Sequence, residues 1–424
     1  MRRLILLVIA LVVLPVLVSA AEWERLTSGV ADHLYGIDFV SPDQGYAVGW
    51  GASTGGVVVR TVDGGDNWTH TTLSANSYLF DVTFTDENNG YVAGCLNGGS
   101  AAAIWRTTNG GASWTYQAFG TSWGFYAVEF PDPATGFACG WNGRIYKTIN
   151  SGASWFSLSS GTTYVFRYLD FTDATHGYAI SGSNYNNSNL VHKTTNGSSW
   201  MLVKNFGTGM IIGGVHFFDE NTGIIAGNDG AEAILKTYDG GLTWENRHSG
   251  PSGYTLQGLS GQGDECIAVG HAGRILLSHD AGETWTLDAA TVPITTLLAA
   301  NVKDGAWFCA GTSGRIFERV NPTSGVPESP LSMGPRLLPN RPNPFNPSTQ
   351  IEFKLARSGH VKLEIFDARA RLVRVLLNDS RSAGRHHISW DGRNGHGQRV
   401  PSGLYFCLIT TNDGTDSRKL NLLK

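Results

Sequence analysis

The chain has 424 residues, 41% hydrophobic and 16% charged, enough apolar content for more than one packed core and too much for a disordered chain. Residues 21–320 carry 14 Lys/Arg against 27 Asp/Glu, a net of −13, whereas residues 340–424 carry 14 against 7, a net of +7. The sign change marks two units with different surfaces, and the acidic main body excludes nucleic acid, whose phosphates need a basic face.

The N-terminus sets the expected compartment. Arg2 and Arg3 precede an uncharged run of 15 residues (4–18), and Val18-Ser19-Ala20 supplies small residues for cleavage. This pattern reads as a secretory signal peptide over residues 1–20. The run is shorter than the ~20 residues that span a bilayer, and no later stretch is long and apolar enough. The mature chain is therefore expected without a transmembrane anchor, secreted or at the cell surface after passing the periplasm.

A repeat begins at once. Trp occurs at 23, 68, 114, 155, 200, 244 and 285, at intervals of 41 to 46 residues. From Trp68 onward each Trp ends a similar turn: RTVDGGDNW (60–68), RTTNGGASW (106–114), KTINSGASW (147–155), KTTNGSSW (193–200), KTYDGGLTW (236–244) and LSHDAGETW (277–285). The Asp or Asn of each turn (Asp63, Asn109, Asn150, Asn196, Asp239 and Asp280) can accept bonds from backbone N–H groups two residues on, as in an Asx-turn. The Trp residues (Trp68, Trp114, Trp155, Trp200, Trp244 and Trp285) supply apolar bodies to bury between repeats. We read these twelve residues as structural locks of a hairpin.

Two further patterns precede each turn. One is GYAVG (45–49) with six relatives down to WFCAG (307–311); the other is seen in YGIDF (35–39), FDVTF (80–84) and YAVEF (126–130). Each repeat thus holds four short strands separated by Gly-, Asn- and Asp-rich turns, the signature of a β-propeller blade. Trp23 matches a fourth strand with no first three before it, and the last repeat, ending at RIFERV (315–320), lacks its fourth. The N-terminal strand is therefore expected to complete the last blade. That closes an all-β, seven-bladed propeller over residues 21–320.

The RTxDGGxxW and KTxDGGxxW copies resemble the photosystem II stability/assembly factor family and the Asp-box (BNR) repeats of sialidase-type propellers. This resemblance implies the propeller fold and a protein-binding role.

Five prolines in residues 321–339 read as a linker. Residues 340–424 then alternate apolar and polar positions, as at Ile351, Phe353 and Leu355, which predicts a small immunoglobulin-like β-sandwich. Pro342-Asn343-Pro344, Asp367 with Arg371, Trp390-Asp391-Gly392, Ser402-Gly403-Leu404-Tyr405 and the KLNLLK end resemble the type A C-terminal sorting domain of the type IX secretion system. They also resemble the immunoglobulin-like domain of the flagellar hook-capping protein. Ala370 departs from the Gly usual in the D-x-x-G turn. The resemblance implies type IX-like secretion machinery as a partner.

No catalytic, metal or cofactor residues are assigned. GASTG (51–55) and GTSWG (120–124) match GxSxG, but the helix that a nucleophile elbow requires has no place in a blade loop. No HExxH or CxxC occurs. Of the five cysteines, Cys139 and Cys309 fall at equivalent repeat positions and are expected as buried thiols, although export leaves one bridge open. A sialidase-like glycoside hydrolase is the enzyme alternative. It needs clustered arginines, a Tyr/Glu pair and an acid, but the basic residues mostly recur at one strand position (Arg60, Arg106, Lys147, Lys193 and Lys236) or just before it (Arg144, Arg274 and Arg315). Glu129 and Asp170, in equivalent blade positions, are the carboxylates that could do acid–base work. Binding is the favoured activity. The approaches to the first strands and the loops between second and third strands share a face rich in aromatics. Tyr35, Trp50, Tyr78, Trp123, Tyr126, Trp141, Tyr164 and Tyr254 are the candidates for gripping a protein or glycan, with the polar stretch 181–189 beside them.

Overall fold

The structure is a computed structural model, and it describes residues 22–320 except 52–53, 121–122, 182–188, 289–291 and 293–294, together with residues 335–423 except 338–344, 356, 368 and 370. The expected signal peptide, almost all of the linker, Pro342-Asn343-Pro344, Ala370 and most of the 181–189 stretch lie outside the described residues. So do the central residues of both GxSxG matches.

Residues Glu22–Val320 form seven four-stranded antiparallel sheets. Blade 1 comprises His33–Phe39, Gly45–Gly51, Gly55–Thr61 and Thr69–Ser74. The first strands of blades 2 to 6 are Tyr78–Phe84, Phe125–Glu129, Phe166–Phe171, Met210–Phe217 and Leu256–Gln262. Blade 7 contains Leu297–Lys303, Ala306–Gly311 and Arg315–Val320. Its fourth strand is the N-terminal Glu22–Thr27, which pairs Trp23 with Arg319. The first strands touch one another in sequence and blade 7 touches blade 1, so they form the inner ring. The second strands are fully buried at their centres, and the fourth strands are mostly exposed. This gradient explains why the second-strand motif is the most apolar part of each repeat.

The aromatic of that motif has a defined task. It lies flat on the Phe that ends the next blade's first strand or, for Phe130 in blade 3, directly follows it. Ring centroids are 3.7 Å apart for Tyr46–Phe84 and Tyr91–Phe130, 3.9 Å for Phe137–Phe171, 3.4 Å for Tyr178–Phe217 and 3.6 Å for Phe308–Phe39. Each Phe then meets its own blade's Asp-box Trp edge-on, as in Phe39–Trp68 at 6.1 Å and 85°. Such pairs contribute about 0.5–1.5 kcal/mol beyond area burial. The glycine opening the motif answers to the Phe of its own blade: at Gly45, Gly90, Gly136, Gly177 and Gly223 a Cβ would overlap the ring of Phe39, Phe84, Phe130, Phe171 and Phe217 respectively. Two seams lack the stack. Between blades 5 and 6 the ring positions hold Ile224 and Gly261, and between blades 6 and 7 they hold Ile267 and Val302.

The blade 5–6 seam is charged instead. Arg274 donates through Nε and Nη2 to the fully buried Glu232 at 2.8 and 2.6 Å, and His248 Nε2 lies 2.8 Å from the same carboxylate. Burial alone would raise the Glu232 pKa, but hydrogen bonds from His248 and Arg274 hold it below the usual range. Lys236 adds a bond to the Ala281 carbonyl at 2.8 Å and an ion pair with Glu283 at 2.7 Å.

All five cysteines are buried free thiols, so the bridge left open by the sequence does not form. Burial drives the Cys309 thiol upward and that of Cys266 to about 12.

The C-terminal unit is a separate two-sheet sandwich. One sheet orders Arg336–Leu337, Thr349–Leu355 and Gly384–Trp390; the other orders Leu372–Arg381, Gly359–Asp367, Gly403–Thr411 and Gly414–Leu422. Their inner faces bury Ile351, Phe353, Val361, Leu363, Ile365, Tyr405 and Ile409 around Trp390. The Trp390 indole donates to the Arg393 carbonyl at 2.9 Å, and the Tyr405 hydroxyl donates to Pro401 at 2.7 Å. Asp367 accepts from the Arg371 backbone at 3.0 Å and from its Nε at 2.8 Å, so the turn closes without the usual Gly.

Candidate functional site

The propeller has two unlike faces. On one lie the Asp boxes, docked on the turns between first and second strands: Gly64 donates to Asp43 at 2.8 Å, Gly110 to Asn88 at 2.9 Å and Gly240 to Asn221 at 2.8 Å. The box geometry corrects the two-residue Asx-turn. Asp63 accepts from the N–H of Asn67, four residues on, at 2.9 Å; Asn109, Asn150, Asp239 and Asp280 repeat this span. Only the shorter box departs, with Asn196 reaching two and three residues on. The preceding Thr is the partner missed in the sequence. The Thr61 hydroxyl donates to Asp63 at 2.8 Å and accepts from Gly65 at 2.9 Å, and Thr107, Thr148, Thr237 and Ser278 do the same. The hydroxyl at this position in all six motifs, Thr in five and Ser278 in the sixth, was the available signal. Several of the repeated basic residues tie blades together: Lys147 donates to Gly197 at 2.9 Å and Lys193 to Glu220 at 2.7 Å.

The opposite face carries the inner-ring mouth. Near its start every first strand slips by one residue against its neighbour, and the extra residue is a bulge. Bulges re-aim side chains, and here they present one residue per blade: Tyr35, Phe80, Tyr126, Arg167, Gly213, Gln257 and Leu298. The first four make a continuous arc. Ring centroids are 6.2 Å apart for Tyr35–Phe80 and 4.7 Å for Phe80–Tyr126, and the Arg167 guanidinium lies 4.7 Å from the Tyr126 ring. Trp50 stacks on Tyr35 at 6.1 Å and meets Tyr78 at 4.2 Å. The Trp50 indole N–H and Arg167 Nε are sheltered and have no partner among the described residues. Burial raises the Tyr35 pKa, an effect that Arg167 partly offsets. In blade 5 the bulge residue is Gly213, where a Cβ would meet the Leu256 carbonyl of blade 6, so the arc ends at Arg167.

The candidate aromatics thus divide. Tyr35, Trp50, Tyr78 and Tyr126 gather at the mouth with Phe80 and Arg167. Trp123 and Trp141 stack on each other at 5.2 Å, and Tyr164 stands apart, 38% exposed. Tyr254 is taken up by Arg274, 5.4 Å from its ring, beside the charged seam. Phe125 and Phe166, from the same stretch, are inter-blade core.

The carboxylates considered for acid–base work have another task. Glu129 accepts the Phe171 N–H at 3.0 Å, Asp170 accepts that of Phe217, and Asp38 accepts that of Phe84 at 2.8 Å. Each fastens its blade to the next through the inner ring. Asp81, two residues before the corresponding Thr83 of blade 2, does this for Val128 at 2.9 Å. Withdrawal from water raises the pKa of Asp38 to about 6 and of Asp81 to about 7, and it raises that of Glu129, to which the neighbouring Asp170 charge adds. A Tyr–Glu pair also occurs. The Tyr238 hydroxyl donates to Glu283 at 2.7 Å, and a single arginine, Arg247, lies beside it at 2.7 Å. It sits on the Asp-box face, away from the inner-ring mouth. Among the described residues no group of three potential ligands could hold a metal, and no helix is long and apolar enough to cross a membrane.

Comparison with known proteins agrees with these two units. Residues 192–298 match the family described as "Photosynthesis system II assembly factor YCF48", and residues 343–414 match "FlgD Ig-like domain". No curated relative matches the chain in sequence. A structure described as "YCF48 bound to D1 peptide" is 21% identical, with a TM-score of 0.57, over 71% of this chain and 97% of its own. YCF48 from Cyanidioschyzon merolae is 20% identical, TM-score 0.56, over 70% and 98%. PorZ from Porphyromonas gingivalis, a surface component of the type-IX secretion system, is 14% identical, TM-score 0.50, over 92% of this chain and 59% of its own. The chain is therefore similar to YCF48 in its propeller fold and, over residues 343–414, similar to the FlgD Ig-like domain.

Proposed function

We propose that the propeller is a non-catalytic scaffold that grips an extended segment of a partner protein at the inner-ring mouth. The observation that carries this reading is the arc of Tyr35, Phe80, Tyr126 and Arg167, built from four successive bulges. Flat rings receive apolar side chains, and the cation held against Tyr126 receives a carboxylate. The likeness to a YCF48 that is bound to a peptide supports it. The wider proposal is export through a signal peptide at residues 1–20 and type IX-like secretion directed by residues 340–424, behind a linker at 321–339, to the surface or the medium. The PorZ likeness and the immunoglobulin-like domain support this.

A photo-crosslinking residue at position 126, in the full chain expressed in its own cells, tests the site. Discrete protein adducts should form there and not at position 116, on an outer strand where Tyr116 is 58% exposed. Equal adducts at both positions would overturn the mouth as the site. Fractionation of the same cells tests the export route, which fails if the full-length chain stays in the periplasm.

A further inference from the structure

The stacked Trp123–Trp141 pair does not belong to the mouth arc. Trp123 is 46% exposed and holds φ +67°, a conformation rare for a bulky side chain. Trp141 opens a turn whose next residues, Asn142, Gly143 and Arg144, line an open groove of about 650 Å³. Ser159, Thr162 and Thr163 form its other wall, and the exposed Tyr164 follows directly. Aromatic residues thus flank in sequence both segments of a trough whose surface is mostly hydroxyl, amide and guanidinium, with Leu158 as its apolar side chain. That composition differs from an apolar slot for side chains. It suits a pyranose, whose C–H face rests on a ring while its hydroxyls need donors and acceptors.

Arg144 sharpens the ligand class. The same turn occurs in blades 6 and 7, with φ of +60°, +56° and +61° at Asn142, Ala272 and Ser313. In blade 6 the arginine of the turn, Arg274, is neutralised by Glu232 of the preceding blade. The corresponding residue behind Arg144 is Ala102, as strand register places Ala102 opposite Cys95 just as it places Glu232 opposite Asn228. Arg144 has no carboxylate partner among the described residues. In blade 7 the turn carries Thr312 and Ser313 in place of Trp141 and Asn142, so the aromatic platform belongs to blade 3 alone of the three.

We infer that the groove beside Trp141 and Arg144 binds an acidic oligosaccharide, with uronate rings lying along the aromatics and a carboxylate on the guanidinium. The inference is independent of the inner-ring mouth. Isothermal titration of the full mature chain with hexamers of galacturonate, mannuronate and guluronate, and with neutral maltohexaose, tests it. At least one uronate hexamer should bind at least tenfold more tightly than maltohexaose. Arg144→Gln should remove that preference, and Trp141→Ala should weaken binding at least tenfold. Trp123→Gly, which relieves the positive φ while removing the ring, should weaken it with the thermal midpoint unchanged. Tyr116→Ala should leave binding intact. No binding by any uronate hexamer, equal binding of maltohexaose, or full binding by folded Arg144→Gln would each overturn the inference.

Discussion

Blades 1–4 and blades 5–7 are built on one repeat yet solve the same problems with different chemistry. At the bulge position the first arc carries Tyr35, Phe80, Tyr126 and Arg167; the second carries Gly213, Gln257 and Leu298. At the inner-ring staple the first arc uses Asp38, Asp81, Glu129 and Asp170, whereas blade 6 uses the Ser260 hydroxyl, 3.1 Å from the Val302 N–H. Stacked rings fill the seams from blade 7 through blade 5, and ion pairs replace them between blades 5 and 6. A propeller therefore needs each seam filled and each inner N–H satisfied, but it does not need one residue type for either. Where the residue type is free to vary, as on the mouth, it can be given over to binding.

The largest expected effect is at a stacked seam. Phe217 lies 3.4 Å from Tyr178 and meets Trp244 edge-on, so Phe217→Ala empties the centre of the blade 4–5 junction. It should cost about 3–5 kcal/mol in urea unfolding. A loss below about 1 kcal/mol would mean the ring stack is not what joins the blades.

The charged seam should follow closely. Glu232→Ala leaves Arg274 and His248 facing each other without their shared acceptor, and should cost about 3 kcal/mol. Glu232→Leu with Arg274→Leu should recover most of that loss, because the desolvation penalty goes with the pair. If the double variant is as unstable as the single one, the seam depends on packing, and the contrast between arcs reduces to ring size.

Much of this was legible in the sequence. The Trp period and the orphan Trp23 predict seven blades closed by the N-terminal strand because both follow from counting strands. The repeated basic position reads as structural, since Lys147 and Lys236 recur where a single site could not use them. The bulges were not legible. Tyr35, Phe80, Tyr126 and Arg167 share a position that differs in residue type from blade to blade, and only the register slip reveals it. The staples were hidden for the opposite reason. Glu129 and Asp170 look like a reactive pair in the sequence, and the N–H groups they serve belong to blades about 40 residues further on. Arg144 was visible as a repeat position, but the missing carboxylate behind it depends on Ala102, in another blade.

The acidic staples also predict how the first arc responds to pH, with the smallest effect per step. Asp38 and Asp81 have pKa values raised to about 6 and 7 by withdrawal from water, above the ~3.9 of an unfolded Asp. Between about pH 4 and 7 the folded chain therefore holds protons that the unfolded chain has released. These carboxyls make stability fall as pH rises through this window, by at most about 1.4 kcal/mol per pH unit for each proton held, while the buried His192, lowered to about 4, works the other way below about pH 6.5. Urea midpoints should be higher at pH 5.5 than at pH 8. Asp81→Asn, which keeps an acceptor for the Val128 N–H but cannot ionise, should flatten the slope. Ser260→Ala, which removes the neutral staple of blade 6, should lower stability equally at both pH values. If Asp81→Asn and Ser260→Ala leave the same slope, the carboxylates of the first arc are as well solvated as surface acids, and the staples of the two arcs do not differ in their response to pH.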